Sequence, residues 1–202
     1  MARDIRPKHK LCRLYGEKLC DSPKCPVLKR NYPAGQHGTE RKRAKHSGYG
    51  KQMLEKQKVK RIYGLLERQF SNYVTEASEK PGDTSKILLQ YLESRLDNTV
   101  YRLGLAKSRA AARQLVGHGH VTINGKKVNI PSYRVRVGEV IAVKEKTKSS
   151  KLFENIAEVL SKKELPAWLS VDAKALSGKV LNLPTLENPN FDASIIIGFY
   201  SR

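Results

Sequence analysis

The stretch that decides the fold is SRAAARQLVGHGHVTING, Ser108 to Gly125. Serine is a good N-cap, and the alanine-rich run behind it favours a helix. Ala112, Leu115 and Val116 fall at helical spacing and mark an inward face. Arg109 and Arg113 are four apart and share another face. Gly117 and Gly119 stop the helix. Val121-Thr122-Ile123 then runs into Asn124-Gly125, the dipeptide best suited to a two-residue hairpin, because its turn needs positive φ at both positions. The stretch predicts a short basic helix leading into a β-hairpin.

Upstream, Leu89, Leu92, Leu96, Val100 and Leu103 form the stripe of one helix closing at Gly104. Downstream, Val128 and Ile130 precede Pro131, Arg134-Val135-Arg136-Val137 alternates like a strand, and Val140–Val143 reads as a buried strand. Residues 93–149 are therefore expected to form one unit of two helices and a small curled sheet. Residues 1–48 are loop-like, with Pro7, Pro23, Pro26 and Pro33 before the turn Gly35-Gln36-His37-Gly38. From Lys51 to Ala77, apolar residues at threes and fours predict helix, broken in two at Gly64. Lys80-Pro81-Gly82-Asp83 is a turn, with Asp83 or Thr84 as the next N-cap. In the tail, Leu152, Phe153, Ile156 and Leu160 predict a helix, and Val180–Leu183 and Ile195–Tyr200 two short strands. The fold class is α+β. A helical domain over 1–92, completed by 150–202, would carry the unit at 93–149 as an insertion.

Charge narrows the function. Lysine and arginine number 39 against 19 acids in 202 residues, a net charge of +20. Residues 1–75 hold +13 of it and residues 95–136 hold +8, the latter with Asp97 as sole acid. Such excess repels itself, and a polyanion relieves it. Two RNA-facing surfaces are expected. In the first, Arg41, Arg43 and Lys45 suit phosphates, Tyr49 a base or ribose, and Lys51, Lys58 and Arg61 project from the helix that follows. In the second, Lys107, Ser108, Arg109 and Arg113 line the start of the basic helix, with Arg134 nearby. His37 reads as a turn histidine beside phosphates and not as a catalyst. The N-terminus has no signal-peptide core and no long uncharged apolar run exists, so a soluble cytoplasmic protein is expected.

The three cysteines bunch together. His9-x-x-Cys12, then Cys20 and Cys25, places four nitrogen or sulfur donors within seventeen residues that lack a core of their own. Such loops gain most from one structural zinc held by His9, Cys12, Cys20 and Cys25. The competing reading is three free thiols and an RNA-contacting His9.

Taken in order, Glu93–Asn98, Ser108–Val116 and His118–Gly125 resemble the S-four RNA-binding domain. Asn31–Gly38, Glu55–Lys58, Ile62-Tyr63-Gly64 with Glu67–Phe70, and the terminal Phe199-Tyr200-Ser201-Arg202 extend the resemblance over the chain, to the ribosomal S-four family. It implies a structural, non-enzymatic constituent of the small ribosomal subunit that binds the 5′ domain of its RNA and nucleates assembly. It implies neighbours in ribosomal proteins three and five and in the channel through which messenger RNA enters, with an influence on decoding accuracy. Zinc-bearing members carry four cysteines in this segment, and His9 stands where the first would be. Two other readings share parts of these motifs. A pseudouridine synthase relative would share Arg95-Leu96-Asp97, but that motif precedes the basic helix here and a catalytic domain is lacking. A stand-alone S-four-domain RNA-binding factor would lack the first seventy residues and the Phe-Tyr-Ser-Arg terminus.

Overall fold

A computed structural model describes residues 6–20, 22–40, 46–148, 150, 153, 160, 165–173, 175–185 and 191–201. The chain divides into two compact units, Met1–Ser85 with Pro189–Arg202, and Lys86–Asn188. Among the described residues no helix is long and apolar enough to cross a membrane.

The first unit is helical. It contains α1 (Lys8–Tyr15), a 3-10 turn (Pro26–Leu28), α2 (Gly48–Ile62) and α3 (Glu67–Ser78). Ser47 caps α2 by accepting the Gly50 N–H, and Gly64 separates α2 from α3. Val59, Leu65, Phe70, Val74 and Ala77 are buried at the helical spacing the sequence shows. The turn at 35–38 is tight because a β-carbon on Gly38 would collide with the Pro33 carbonyl oxygen.

The second unit begins within α4 (Thr84–Glu93) and continues through α5 (Leu96–Arg102), α6 (Arg109–Gly117), β1 (Val121–Ile123), β2 (Lys126–Lys127), β3 (Val140–Val143), the short α7 (Glu145–Lys148), β4 (Leu169–Asp172) and β5 (Ser177–Val180). The strands make one antiparallel sheet in the order β2-β1-β3-β5-β4. Asn124 and Gly125 take φ of 48° and 79°, the hairpin the dipeptide predicts. Ile123 sits opposite Ile141, and both point into a core with Leu96, Val100, Leu103, Val116 and Trp168. Gly178 lets β5 pass against Leu103, where a β-carbon would collide with the leucine.

Six expectations are corrected. Residues 1–48, read as loop-like, include the helix α1 at Lys8–Tyr15. The single helix expected up to Gly104 is two, broken at Ser94-Arg95. Tertiary hydrogen bonds interrupt it: Leu96 N–H donates to Tyr133 O (2.8 Å), Asp97 N–H to Pro131 O (3.2 Å) and Val135 N–H to Ser94 O (2.8 Å). For the same reason residues 134–137 form only an isolated bridge, Arg95 with Arg134, and no strand. Residues 169–180 do not complete the helical unit. They extend the second unit's sheet, because β5 pairs with β3 and so covers an edge that would otherwise expose unpaired backbone. Ile195–Tyr200 is not a strand but part of α8 (Ala193–Tyr200), capped by Asp192 through the Ser194 N–H. Its β-branched run favours a strand locally, but α8 packs along α2 and against α3, and packing decides. The expected strand at 180–183 lies earlier, at 177–180. Of the helix expected near Leu152 and Ile156, most lies outside the described residues; Phe153 and Leu160 are buried in the second unit's core.

Candidate metal centre and nucleic-acid interface

In the first unit, α1 carries His9 and Cys12 one turn apart, and Gly16 ends the helix so that the chain returns with Cys20 and Cys25. Cys25 stands at the N-cap of the 3-10 turn. Cys12, Cys20, Cys25 and Val27 bury one another, with Leu19 packed on them. Arg13 fastens the next loop, donating from Nε to Tyr32 O (2.8 Å) and from Nη2 to Pro33 O (3.0 Å). The ligand atoms of His9, Cys20 and Cys25 all lie within 4.8 Å of one another, Cys20 Sγ being 3.7 Å from His9 Nδ1. Cys12 shares the buried cluster, and its sulfur accepts the Leu19 N–H at 3.3 Å, but it stands outside the converging three.

The donor chemistry suits a metal ion. Burial pushes the Cys12 thiol up to about 11. At Cys25 burial also raises the value, but contacts with His9, the Val27 backbone, Cys20 and Cys12 outweigh it and bring the thiol down to about 7. A thiolate accessible near neutral pH beside imidazole nitrogen and a second sulfur is the donor set of structural zinc. Residues His9, Cys20 and Cys25 form the candidate site.

In the second unit, a buried charged network joins α4, α5 and α6. Arg95, fully buried, donates to Asp97 from Nε and Nη2 at 3.0 and 2.8 Å. Asp97 also accepts the Asn98 N–H (2.9 Å) and lies 3.3 Å from Arg113 Nε. Glu93 accepts from Arg102 Nε and Nη2, each at 2.8 Å, and from Asn98 Nδ2 at 2.8 Å. Asn98 Oδ1 accepts from Arg109 Nε (2.8 Å), whose guanidinium lies 4.5 Å from the Tyr101 ring centroid. Two acids and one amide thereby fix four arginines, and this patch remains positive.

A second knot closes the first unit. Glu67 accepts from Lys56 (2.7 Å), Lys60 (2.6 Å) and the Tyr200 hydroxyl (2.7 Å), tying α8 to α2 and α3. Burial raises the Glu67 carboxyl, but these three donors win and hold it at about 2. Burial and the bond to Glu67 push the Tyr200 phenol far up. Since the folded value lies below the ordinary 4.5, the knot stabilises fully above that pH and is lost as pH falls through about 2. Wild type should therefore melt above Glu67→Gln at pH 6 and converge with it near pH 2, read by circular dichroism. A gap independent of pH would exclude the carboxylate as the cause.

The comparisons bear on the whole chain. Residues 3–93 match the sequence profile described as "Ribosomal protein S4/S9 N-terminal domain", and residues 94–141 that of the "S4 domain". Small ribosomal subunit protein uS4A of Symbiobacterium thermophilum is 50% identical, over the full length of both chains. The uS4 proteins of Caldicellulosiruptor saccharolyticus and Thermus thermophilus are 51% and 49% identical, again end to end. The chain belongs to the uS4 family.

Within this uS4-family chain the expected contact residues divide. Arg41, Arg43 and Lys45 lie outside the described residues. Tyr49, Lys51 and Lys107 are exposed. Ser108 caps α6 by accepting the Ala111 N–H, so that amide is already engaged. Lys58 is buried against Glu17 (2.7 Å) and Glu55 (3.8 Å), and Arg61 donates to the Tyr15 hydroxyl (2.8 Å). Both carry internal bonds that a helical projection does not show. Arg109 and Arg113 belong to the Asp97–Asn98 network, and the Arg113 side chain is 12% exposed. Arg134 stacks 4.1 Å over Tyr91. Sequence reasoning missed Glu93, Asn98 and Arg102, and the Lys56–Glu67–Tyr200 knot. Asp97 itself is legible, since the lone acid in a segment at +8 reads as a helix residue paired with a nearby arginine, which Arg95 is.

Proposed function

We propose that the chain is a structural constituent of the small ribosomal subunit that binds ribosomal RNA by charge and backbone shape. The observation that carries this is similarity to uS4 proteins over full length at about half identity. The distribution of charge, +13 and +8 in two segments, fits it. A-form grooves hide the bases, so fixed guanidinium and lysine groups against phosphates and 2′-hydroxyls are the suitable means of recognition. Enzymatic readings have no support in these relatives, and Asp97, the one residue a pseudouridine synthase reading needs, is bound by Arg95 and close to Arg113.

The finer reading is the one the family resemblance implies: binding to the 5′ domain of the RNA, nucleation of assembly, contact with small-subunit proteins three and five, and a place near the messenger channel in the cytoplasm. Arg41, Arg43, Lys45, Tyr49, Lys51, Lys107, Arg109, Arg113 and Arg134 are the proposed contact set, and Cys12 completes zinc coordination with His9, Cys20 and Cys25.

Titration of small-subunit ribosomal RNA with the full chain at increasing salt tests the core of this. With about six phosphates neutralised, the log–log slope of affinity against salt should lie between about −4 and −5.5. A slope near −1 would show that charge does not hold the complex.

A further inference from the structure

We propose that Tyr49, backed by Phe199 of the C-terminal helix, is a stacking platform for one unpaired nucleobase of the bound RNA. This rests on the RNA-binding reading and names a ligand for one position within it. Tyr49 is 48% exposed, and among the described residues it is the only exposed large aromatic side chain. It stands at the second residue of α2, whose first turn Ser47 fixes. Its ring lies 5.5 Å from Phe199, tilted by 31°, so that one ring rests on the other.

Phe199 is itself held. Lys56 Nζ sits 4.3 Å from its centroid, and Tyr200 meets it edge-on at 5.3 Å. Glu67 fixes both Lys56 and Tyr200. The outer ring is thus exposed but supported on a rigid base, which lowers the ordering cost of a stacking partner. Lys51 is exposed two residues on in the same turn of α2, and the sequence around it is rich in lysine and arginine. An exposed aromatic on a rigid support, in a segment rich in lysine and arginine, matches the sequence-tolerant platforms on which single-stranded bases stack, since every base offers a π-face. An apolar protein partner fits less well, because the surrounding segment is dominated by lysine and arginine. In this arrangement the C-terminal Phe199 supports the RNA interface as a positioning residue, a role that composition alone would not assign to it.

The test uses the full chain and small-subunit ribosomal RNA at fixed salt. Tyr49→Ala should weaken binding about five- to hundredfold, with an unchanged salt slope because no phosphate contact is lost. Tyr49→Trp should bind as well as wild type, and Phe199→Leu should weaken binding by a smaller factor. Ultraviolet irradiation of the wild-type complex should leave a nucleotide adduct on the tryptic peptide His46–Lys51, a readout independent of variant folding. Unchanged affinity in Tyr49→Ala together with no adduct would overturn the platform, leaving Tyr49 a helix-packing residue. A Tyr49→Phe variant that binds as weakly as Tyr49→Ala would overturn it too, by showing that the hydroxyl and not the ring face holds the RNA. If wild type itself fails to bind the RNA, the RNA-binding reading falls first, and that outcome is distinguishable from the others.

Discussion

Replacing Asp97 with alanine should destabilise the second unit by about 3–5 kcal/mol, the cost of stranding one member of a buried ion pair. Arg95 is fully buried and gives two hydrogen bonds to Asp97, while Arg113 approaches the same carboxylate with a side chain only 12% exposed. Loss of the carboxylate removes the acceptor of two hydrogen bonds from a fully buried guanidinium and the nearby anion of a second, largely buried one. Trp168 is the only tryptophan, is buried in the same core, and reports this unit alone in denaturant unfolding. Asp97→Asn retains the shape and an acceptor for the Asn98 N–H but not the charge, and should fall between wild type and alanine. A midpoint for Asp97→Ala within about 0.5 kcal/mol of wild type, the range of ordinary surface substitutions, would mean that the network is solvated. Arg113→Ala should cost stability as well as RNA affinity, whereas a freely solvated helix face would give the affinity loss alone.

How much was legible in the sequence follows from whether the deciding interactions are local. Ser108 and Asn124-Gly125 act on their own neighbours, so α6 and the hairpin could be read directly. The break at Ser94-Arg95 depends on hydrogen bonds from a segment nearly forty residues away, which no periodicity carries. α8 has an isoleucine run that locally favours a strand, and only its seat on α2 makes it helical. The same distinction governs the site. Arg109 and Arg113 were correctly placed on one helix, but the bonds that orient them come from Asp97 and Asn98 on another. Lys58 and Arg61 were read as outward because a helical wheel does not show Tyr15 at the end of α1, or Glu17 just beyond it, arriving from elsewhere in the chain. The His/Cys cluster was visible because ligand chemistry restricts residue types. Convergence of three donors, with Cys12 just outside, was beyond spacing alone.

Cys20→Ser should abolish zinc binding and loosen the region around α1 while the second unit keeps its unfolding midpoint. Among the described residues, the first unit's N-terminal segment has a core of Cys12, Cys20, Cys25 and Val27 with Leu19 at its side, too little apolar surface to offset the entropy of ordering some twenty-five residues. A structural zinc would supply that deficit, because binding free energy at such a site is folding free energy. With Cys12 drawn in as the fourth ligand, all four positions would be filled by protein and no water site would remain, which makes the expected role structural and not catalytic. Wild type purified without chelator should carry about one equivalent, Cys20→Ser almost none, and Cys12→Ser should match it if Cys12 moves in as the fourth ligand. His9→Cys should hold the metal at least as tightly as wild type, since it only exchanges one competent ligand for another, while His9→Ala should lose most of it. Proteolysis near residues 13–30 should accelerate in the metal-free variants, and Trp168 fluorescence in denaturant should not change. Zinc below about 0.2 equivalents in the wild-type protein, far short of the single ion a structural site requires, would end the proposal and leave three thiols packed as a small apolar cluster.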